Sequence, residues 1–186
     1  MNPARYKKDF DKITEELRSF AYSYLEKYSP SKQQLKTYLF KKILTRYKSY
    51  LNKKMIFSMI DEIINSLEKK SLVSDKYYSE SKSKNFLKRG YSLNKIRYAL
   101  IKKGIDEKYI NSSILKIREN NPDSDFFSAI KLCKRKRIGA LRDEGNREIF
   151  YKKDMSILAR SGFSFEISKS VLSLSKNEFL KLSKLA

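Results

Sequence analysis

The sequence predicts an all-α fold made of tandem three-helix repeats, on three observations. Apolar residues recur at steps of three and four along the chain, serine, aspartate and glycine stand where such stripes start and stop, and two of the punctuated segments align with each other. The first stripe is Phe10, Ile13, Leu17, Phe20 and Tyr24, extended by Leu25 and Tyr28 and stopped at Ser29-Pro30. Ser31 with Gln34 forms a capping-box pattern, each side chain satisfying a backbone N–H near the other, and opens a helix that turns Leu35, Leu39 and Ile43 inward. That helix runs into a Lys- and Tyr-rich stretch from Leu44 to Lys54, after which Ile56, Met59, Ile60, Ile63, Ile64 and Leu67 mark a third.

The middle of the chain repeats the scheme. After a turn through Ser71 to Ser74, Asp75 is placed to cap a helix carrying Tyr78, Phe86 and Leu87, which Gly90 stops. Ser92 caps a helix with Leu93, Ile96, Ala99 and Leu100 inward; Gly104 ends it, because glycine takes the left-handed cap without steric cost. Asp106 opens another with Ile110, Ile114 and Ile117. Asn121-Pro122-Asp123 restarts the pattern with proline in a helix's first turn, and Phe126, Phe127, Ile130 and Cys133 lead into four consecutive cations, Lys134 to Arg137. Gly139 to Asn146 reads as a loop or frayed helix. A helix from about Arg147 then holds Phe150, Met155 and Leu158 and stops at Gly162-Phe163, and Ser164 caps the last one, with Ile167, Val171 and Leu174.

Two steps match residue for residue: Ala99 to Ile105 aligns with Ile157 to Phe163, each a helix end, a glycine cap and an apolar plug. Ser31 to Ile43 with Ile56 to Leu67 is a weaker copy that lacks the glycine and carries an insertion. The predicted units are therefore 10–70, 75–120 and 123–175, with 176–186 as a frayed polar tail. A unit of about fifty residues is marginal alone, whereas stacked copies share buried faces and form an elongated, curved molecule suited to a long partner.

Composition narrows the chemistry. With 42 Lys+Arg against 21 Asp+Glu the formal charge is +21, an excess that calls for an anionic partner, nucleic acid first; AT-rich codon drift is the alternative source of the lysines. Histidine is absent and Cys133 is the sole cysteine, which excludes an intramolecular disulfide, Cys/His zinc sites and histidine triads. No apolar run of membrane-spanning length and no signal-peptide pattern occurs between Met1 and Phe10, so the expected location is cytoplasmic, with no membrane partner.

The residues carry a family resemblance. Leu67 to Tyr78, Lys88-Arg89-Gly90-Tyr91-Ser92, Ile96, Leu100, Lys103-Gly104-Ile105 and Ile110 resemble the central pattern of the RecX family of bacterial recombination regulators. Ile157 to Ser164 is similar to that family's final-repeat signature, and Tyr24-Leu25 with Ser31 and Leu35 to its opening. The likeness runs from about Phe10 to Leu174; it departs at Ser71, where the family usually has glycine, and at the Leu44–Lys54 insertion. What it implies is a tandem three-helix-repeat protein, monomeric and without cofactor. Such a protein binds RecA, lodges in the groove of the RecA–single-stranded-DNA filament, and restrains recombinase, ATPase and coprotease activity without catalysis of its own.

Two acid-free tracts are the candidate DNA- or RecA-binding residues: Lys88, Arg89, Lys95, Arg97, Lys102 and Lys103, then Lys134, Arg135, Lys136, Arg137 and Arg142. The bland reading of each is a solvated face, with Lys102 and Lys103 complementing a helix C-terminus. Four consecutive cations cannot share one helix face, so some of Lys134–Arg137 must point outward. Neutralising about six phosphates would cost affinity on the order of a thousandfold between about 50 and 200 mM salt. Tyr91 and Tyr98 are candidates for base stacking, against a core role. The enzymatic rival is a metal-dependent nuclease using Asp123 and Asp125 or Asp61 and Glu62; the binding rival is a general basic helical DNA- or RNA-binding protein with no RecA requirement.

Overall fold

The computed structural model describes residues 3–47 and 52–185, and side chains for all of these except 3–9; part of the Leu44–Lys54 stretch, at 48–51, lies outside the described residues. Among the described residues there are ten α-helices and no strand: α1 Pro3–Leu25, α2 Lys32–Arg46, α3 Lys53–Lys69, α4 Asp75–Lys88, α5 Leu93–Ile101, α6 Glu107–Asn120, α7 Ser124–Lys136, α8 Glu144–Arg160, α9 Phe165–Leu172 and α10 Lys176–Leu185, with a 3-10 turn at Gly139–Leu141. The chain divides into two compact units, one running to Tyr78 with Lys103–Ile105 added, the other comprising Ser79–Lys102 and Asp106 onward.

In the first unit α1, α2 and α3 bury Leu17, Leu35, Leu39, Ile43 and Ile60 completely, the inward positions expected from their spacing. Truncating any one to alanine removes a packed side chain and costs about 2–5 kcal/mol. The Ser31–Gln34 capping box is formed. Ser31 Oγ also donates to the carbonyl of Lys103 (2.8 Å), and the N–H of Lys32 donates to Asp75 (2.9 Å). Asp75 therefore does not cap α4 as expected. Ser74 does so, through Tyr77 N–H (3.3 Å), and the Asp75 carboxylate holds the start of α2 instead.

The second unit repeats this junction with different residues. Ser92 caps α5 and donates to the carbonyl of Ser161 (2.7 Å), while Leu93 N–H donates to Asp125 (2.7 Å). Gly104 and Gly162 explain why glycine stands in both copies. Each has positive φ (72° and 84°), and a Cβ would lie 2.6 Å from Gln33 Cβ in one and 2.6 Å from Ser92 Oγ in the other. Side-chain atoms from the start of a serine-capped helix lie directly against the glycine at each helix end, leaving no room for a Cβ.

Three sequence expectations change. Residues 176–185 are not frayed: α10 buries Phe179 against α7, and Ser175 with Glu178 closes a reciprocal cap (2.9 and 3.3 Å). The 139–146 segment is a 3-10 turn followed by the first residues of α8, which starts at Glu144 and not near Arg147. Pro122 precedes α7 instead of occupying its first turn.

Among the described residues the left-handed positions at helix ends are Gly90, Gly104 and Gly162 together with two residues that are not glycine, Ser71 (φ 58°) and Arg137 (φ 53°); Gly139 takes the same conformation at the start of the 3-10 turn. Ser71, the family departure, thus keeps the glycine conformation: Leu72 N–H still reaches Leu67 O (3.0 Å). Arg137 does the same at the end of α7, where Ile138 N–H reaches Cys133 O (3.1 Å). Left-handed backbone costs a residue bearing a Cβ about 1 kcal/mol.

Candidate functional site

The cations of the two tracts are placed very unequally. Arg89 follows α4, Lys95 lies on the first turn of α5, and Arg135 and Lys136 close α7. These four residues meet around one cleft of about 560 Å³, joined by Arg160 and Ser161 at the end of α8 and by Tyr91, Leu132 and Ile157. All of it belongs to the second unit. The five cations are accompanied by no carboxylate in the lining.

Local structure sets the geometry. Gly90 lets the chain turn sharply after α4; a Cβ there would lie 2.8 Å from Lys131 Cβ, so α4 ends tight against α7. Arg135 donates to the carbonyl of Arg89 (2.8 Å), which fixes its guanidinium and satisfies a helix-end acceptor. Tyr91 stacks on Phe86 (5.1 Å between ring centres, 9° apart) and carries the Lys95 ammonium 4.4 Å over its ring. Tyr91 thus packs against Phe86 and positions the Lys95 cation. Tyr98 is 66% exposed.

Helix-end cations have an ordinary structural use, which must be subtracted first. The C-termini of α4, α7 and α8 converge here and contribute about −0.5 charge each, and the N-terminus of α5 about +0.5. Against the five cations this leaves a surplus of about four charges, more than the helix ends absorb and enough for several phosphates.

The remaining candidates lie elsewhere. Lys88, Lys102, Lys103, Lys134 and Arg137 are exposed and do not line the cleft, and Arg97 pairs with Glu107 (3.2 Å). Arg142 is built into the fold: its guanidinium makes two bonds to Asp154 (2.7 and 2.6 Å) and lies 4.5 Å over the Phe150 ring. Asp154 is 1% exposed and occupies the α8 position that aligns with Ile96 of α5. Burial alone would raise its pKa; the bonds from Arg142 and from Gly139 N–H (2.9 Å) more than offset that and hold it below the ordinary carboxylate range.

Arg160 escaped the sequence reading, although the alignment of Ala99–Ile105 with Ile157–Phe163 pairs it with Lys102, a candidate cation of the first tract. Two of the four carboxylates of the nuclease rival have other partners. Asp125 holds the start of α5, with burial raising its pKa despite the Leu93 N–H bond, and Asp61 pairs with Lys36 (2.6 Å). Burial, aided by the nearby Asp154 charge, pushes the Cys133 thiol up to about 12, so it stays protonated and inert.

Fold and cleft together define a class: an all-helical protein of recurring serine- and glycine-capped junctions with a concentrated cationic site. Comparison makes it specific. The chain is 27% identical over 158 residues to the regulatory protein RecX of Myxococcus xanthus (strain DK1622), spanning 84% of this chain and 83% of that one. It is 27% identical over 123 residues to the regulatory protein RecX of Clostridium perfringens (strain SM101 / Type A), spanning 66% of this chain and 56% of the relative. The crystal structure of RecX from Lactobacillus salivarius superposes with a TM-score of 0.63 at 18% identity, covering 95% of this chain and 99% of the other. A second crystal structure of regulatory protein RecX gives 0.61 at 22% identity, covering 88% and 75%. No protein-family model matches. The chain is thus similar in sequence to regulatory proteins RecX over most of its length and shares the fold of the solved RecX structures.

Proposed function

We propose that this protein binds RecA and the RecA–single-stranded-DNA filament and restrains the filament's recombinase, ATPase and coprotease activities, acting in the cytoplasm as a monomer without catalysis of its own. The similarity to regulatory proteins RecX supports the partner. The observation that carries the mode of action is the cleft, where five cations from four helices converge with no acid among them. Its surplus charge suits phosphates of filament-bound DNA or an acidic RecA surface. Among the described residues no helix is long and apolar enough to cross a membrane.

The division into three three-helix units at 10–70, 75–120 and 123–175 belongs to the same proposal. The junction formed once by Ser31, Lys32, Asp75 and Lys103 and again by Ser92, Leu93, Asp125 and Ser161 supports it. On this reading Lys88, Lys102, Lys134 and Arg137 are further contacts of the second unit, and Lys103 is a contact of the first.

The cleft's charge by itself also favours a second reading, a general nucleic-acid binder indifferent to RecA. Binding of the protein to naked and to RecA-coated single strands separates them: preference for the coated strand supports the filament reading, and equal binding supports the general one.

A further inference from the structure

The shape of the cleft says more than its charge. Its rim is cationic, but half-buried Ile157, backed by the buried Leu132, gives it an apolar side next to the Tyr91 ring. Phosphodiester backbone alone has no use for that side. A volume of about 560 Å³ falls in the range of sites for single small ligands. A duplex can offer such a recess only its phosphate ridge, since its bases are stacked and paired, whereas a single strand can turn one base out.

We propose that the cleft is a nucleoside-phosphate site. One unstacked nucleotide sits with its phosphate on the Arg135, Arg160 and Lys136 rim and its base against Leu132 and Ile157. Arg135, already fixed by the Arg89 carbonyl, presents its remaining N–H donors to phosphate, while Lys95 is held over Tyr91 to neutralise the neighbouring one. This rests on the reading that the cleft meets nucleic acid and adds that it selects single strands by their bases. The same chemistry is offered by a nucleotide within a strand and by a free nucleotide.

The test is fluorescence anisotropy of the full chain with a labelled short oligothymidylate, an abasic strand of equal length and charge, and a blunt duplex. Oligothymidylate should bind on the order of tenfold more tightly than the abasic strand, the usual scale of one base contact. Ile157→Asn should shrink that ratio towards one, and Arg160→Ala should weaken both strands alike. Thymidine monophosphate should displace the strand at much lower concentration than inorganic phosphate, which would make the free nucleotide a second occupant. Equal binding of thymidylate and abasic strands by the unaltered protein overturns the nucleotide site and needs no variant to fold. In that event inhibition of RecA would survive, because phosphate contacts suffice for it. Loss of all strand binding, together with no effect on RecA, would mark the failure of the filament reading itself.

Discussion

Arg137 separates what the fold prefers from what the surface uses. It ends α7 in the left-handed region (φ 53°, ψ 49°), where the corresponding ends of α4 and α8 have Gly90 and Gly162. A Cβ there costs about 1 kcal/mol, and glycine's looser unfolded chain returns part of that gain, so relief should be about 0.5–1 kcal/mol. Removing the arginine also removes a cation at a helix C-terminus, an effect of about 0.3–1 kcal/mol of opposite sign. The two are separated by comparing Arg137→Gly with Arg137→Ala, which lose the same charge while only alanine keeps the strain. Thermal unfolding should place the glycine variant about 1–4 °C above the alanine variant. In a salt titration of single-strand binding, both should reduce the slope of log K against log salt by about 0.7 if Arg137 meets a phosphate. Equal melting temperatures would refute the strain argument, and an unchanged salt slope would remove Arg137 from the contact surface.

Other consequences concern the junction and the buried charges. Gly162→Ala places a Cβ 2.6 Å from Ser92 Oγ; left-handed strain, overpacking and a weakened Ser92–Ser161 bond should together cost about 3 kcal/mol in denaturant unfolding. A loss below about 1 kcal/mol would mean the junction yields easily. Arg142→Ala leaves the Asp154 carboxylate buried without its partner and should destabilise by about 3–5 kcal/mol, with no change in the salt slope of strand binding; a changed slope would return Arg142 to the binding surface. Asp125→Asn keeps an acceptor for Leu93 N–H while removing a carboxylate whose pKa is raised by burial. A raised folded pKa means that the ionised form weakens the fold at neutral pH. The stability advantage of the asparagine variant should therefore be greatest above the folded pKa and fade as pH falls towards the ordinary value of about 3.9. An advantage constant with pH would contradict the burial argument. Asp154 acts in the opposite sense, stabilising above the ordinary carboxylate range and losing that contribution as pH falls, but equally in both proteins.

Local chemistry was largely legible in the sequence. Ser31, Ser92 and Ser164 cap the helices expected of them, and Gly104 and Gly162 end theirs, because a cap depends on residues within one turn. The second task of those serines was not legible: Ser31 and Ser92 also bind carbonyls about seventy positions away, at Lys103 and Ser161. For the same reason Asp75 read as a cap and is a tie between α4 and α2. The last helix was a different kind of miss, since the Ser175–Glu178 capping pattern was present and the polar composition around it masked Phe179.

The candidate interface divides along the same line. Charge runs identified Arg89, Lys95, Arg135 and Lys136 as surface cations, but only the packing of α4, α5, α7 and α8 brings them to one cleft. Arg142 looked equivalent to its neighbours in an acid-free stretch; its partner Asp154 lies twelve residues on, in a position that α5 fills with isoleucine. Tyr91 was open between base stacking and a core role, and it is found against Phe86 with Lys95 over its ring.

The central claim is tested most directly by titrating the protein into RecA hydrolysing ATP on single-stranded DNA, beside a variant with Arg135→Glu and Arg160→Glu. The unaltered chain should lower the hydrolysis rate at substoichiometric ratios, and the variant, folded by circular dichroism, should have lost most of that effect. An unchanged rate at every concentration of the unaltered protein, or equal inhibition by the variant, would contradict it.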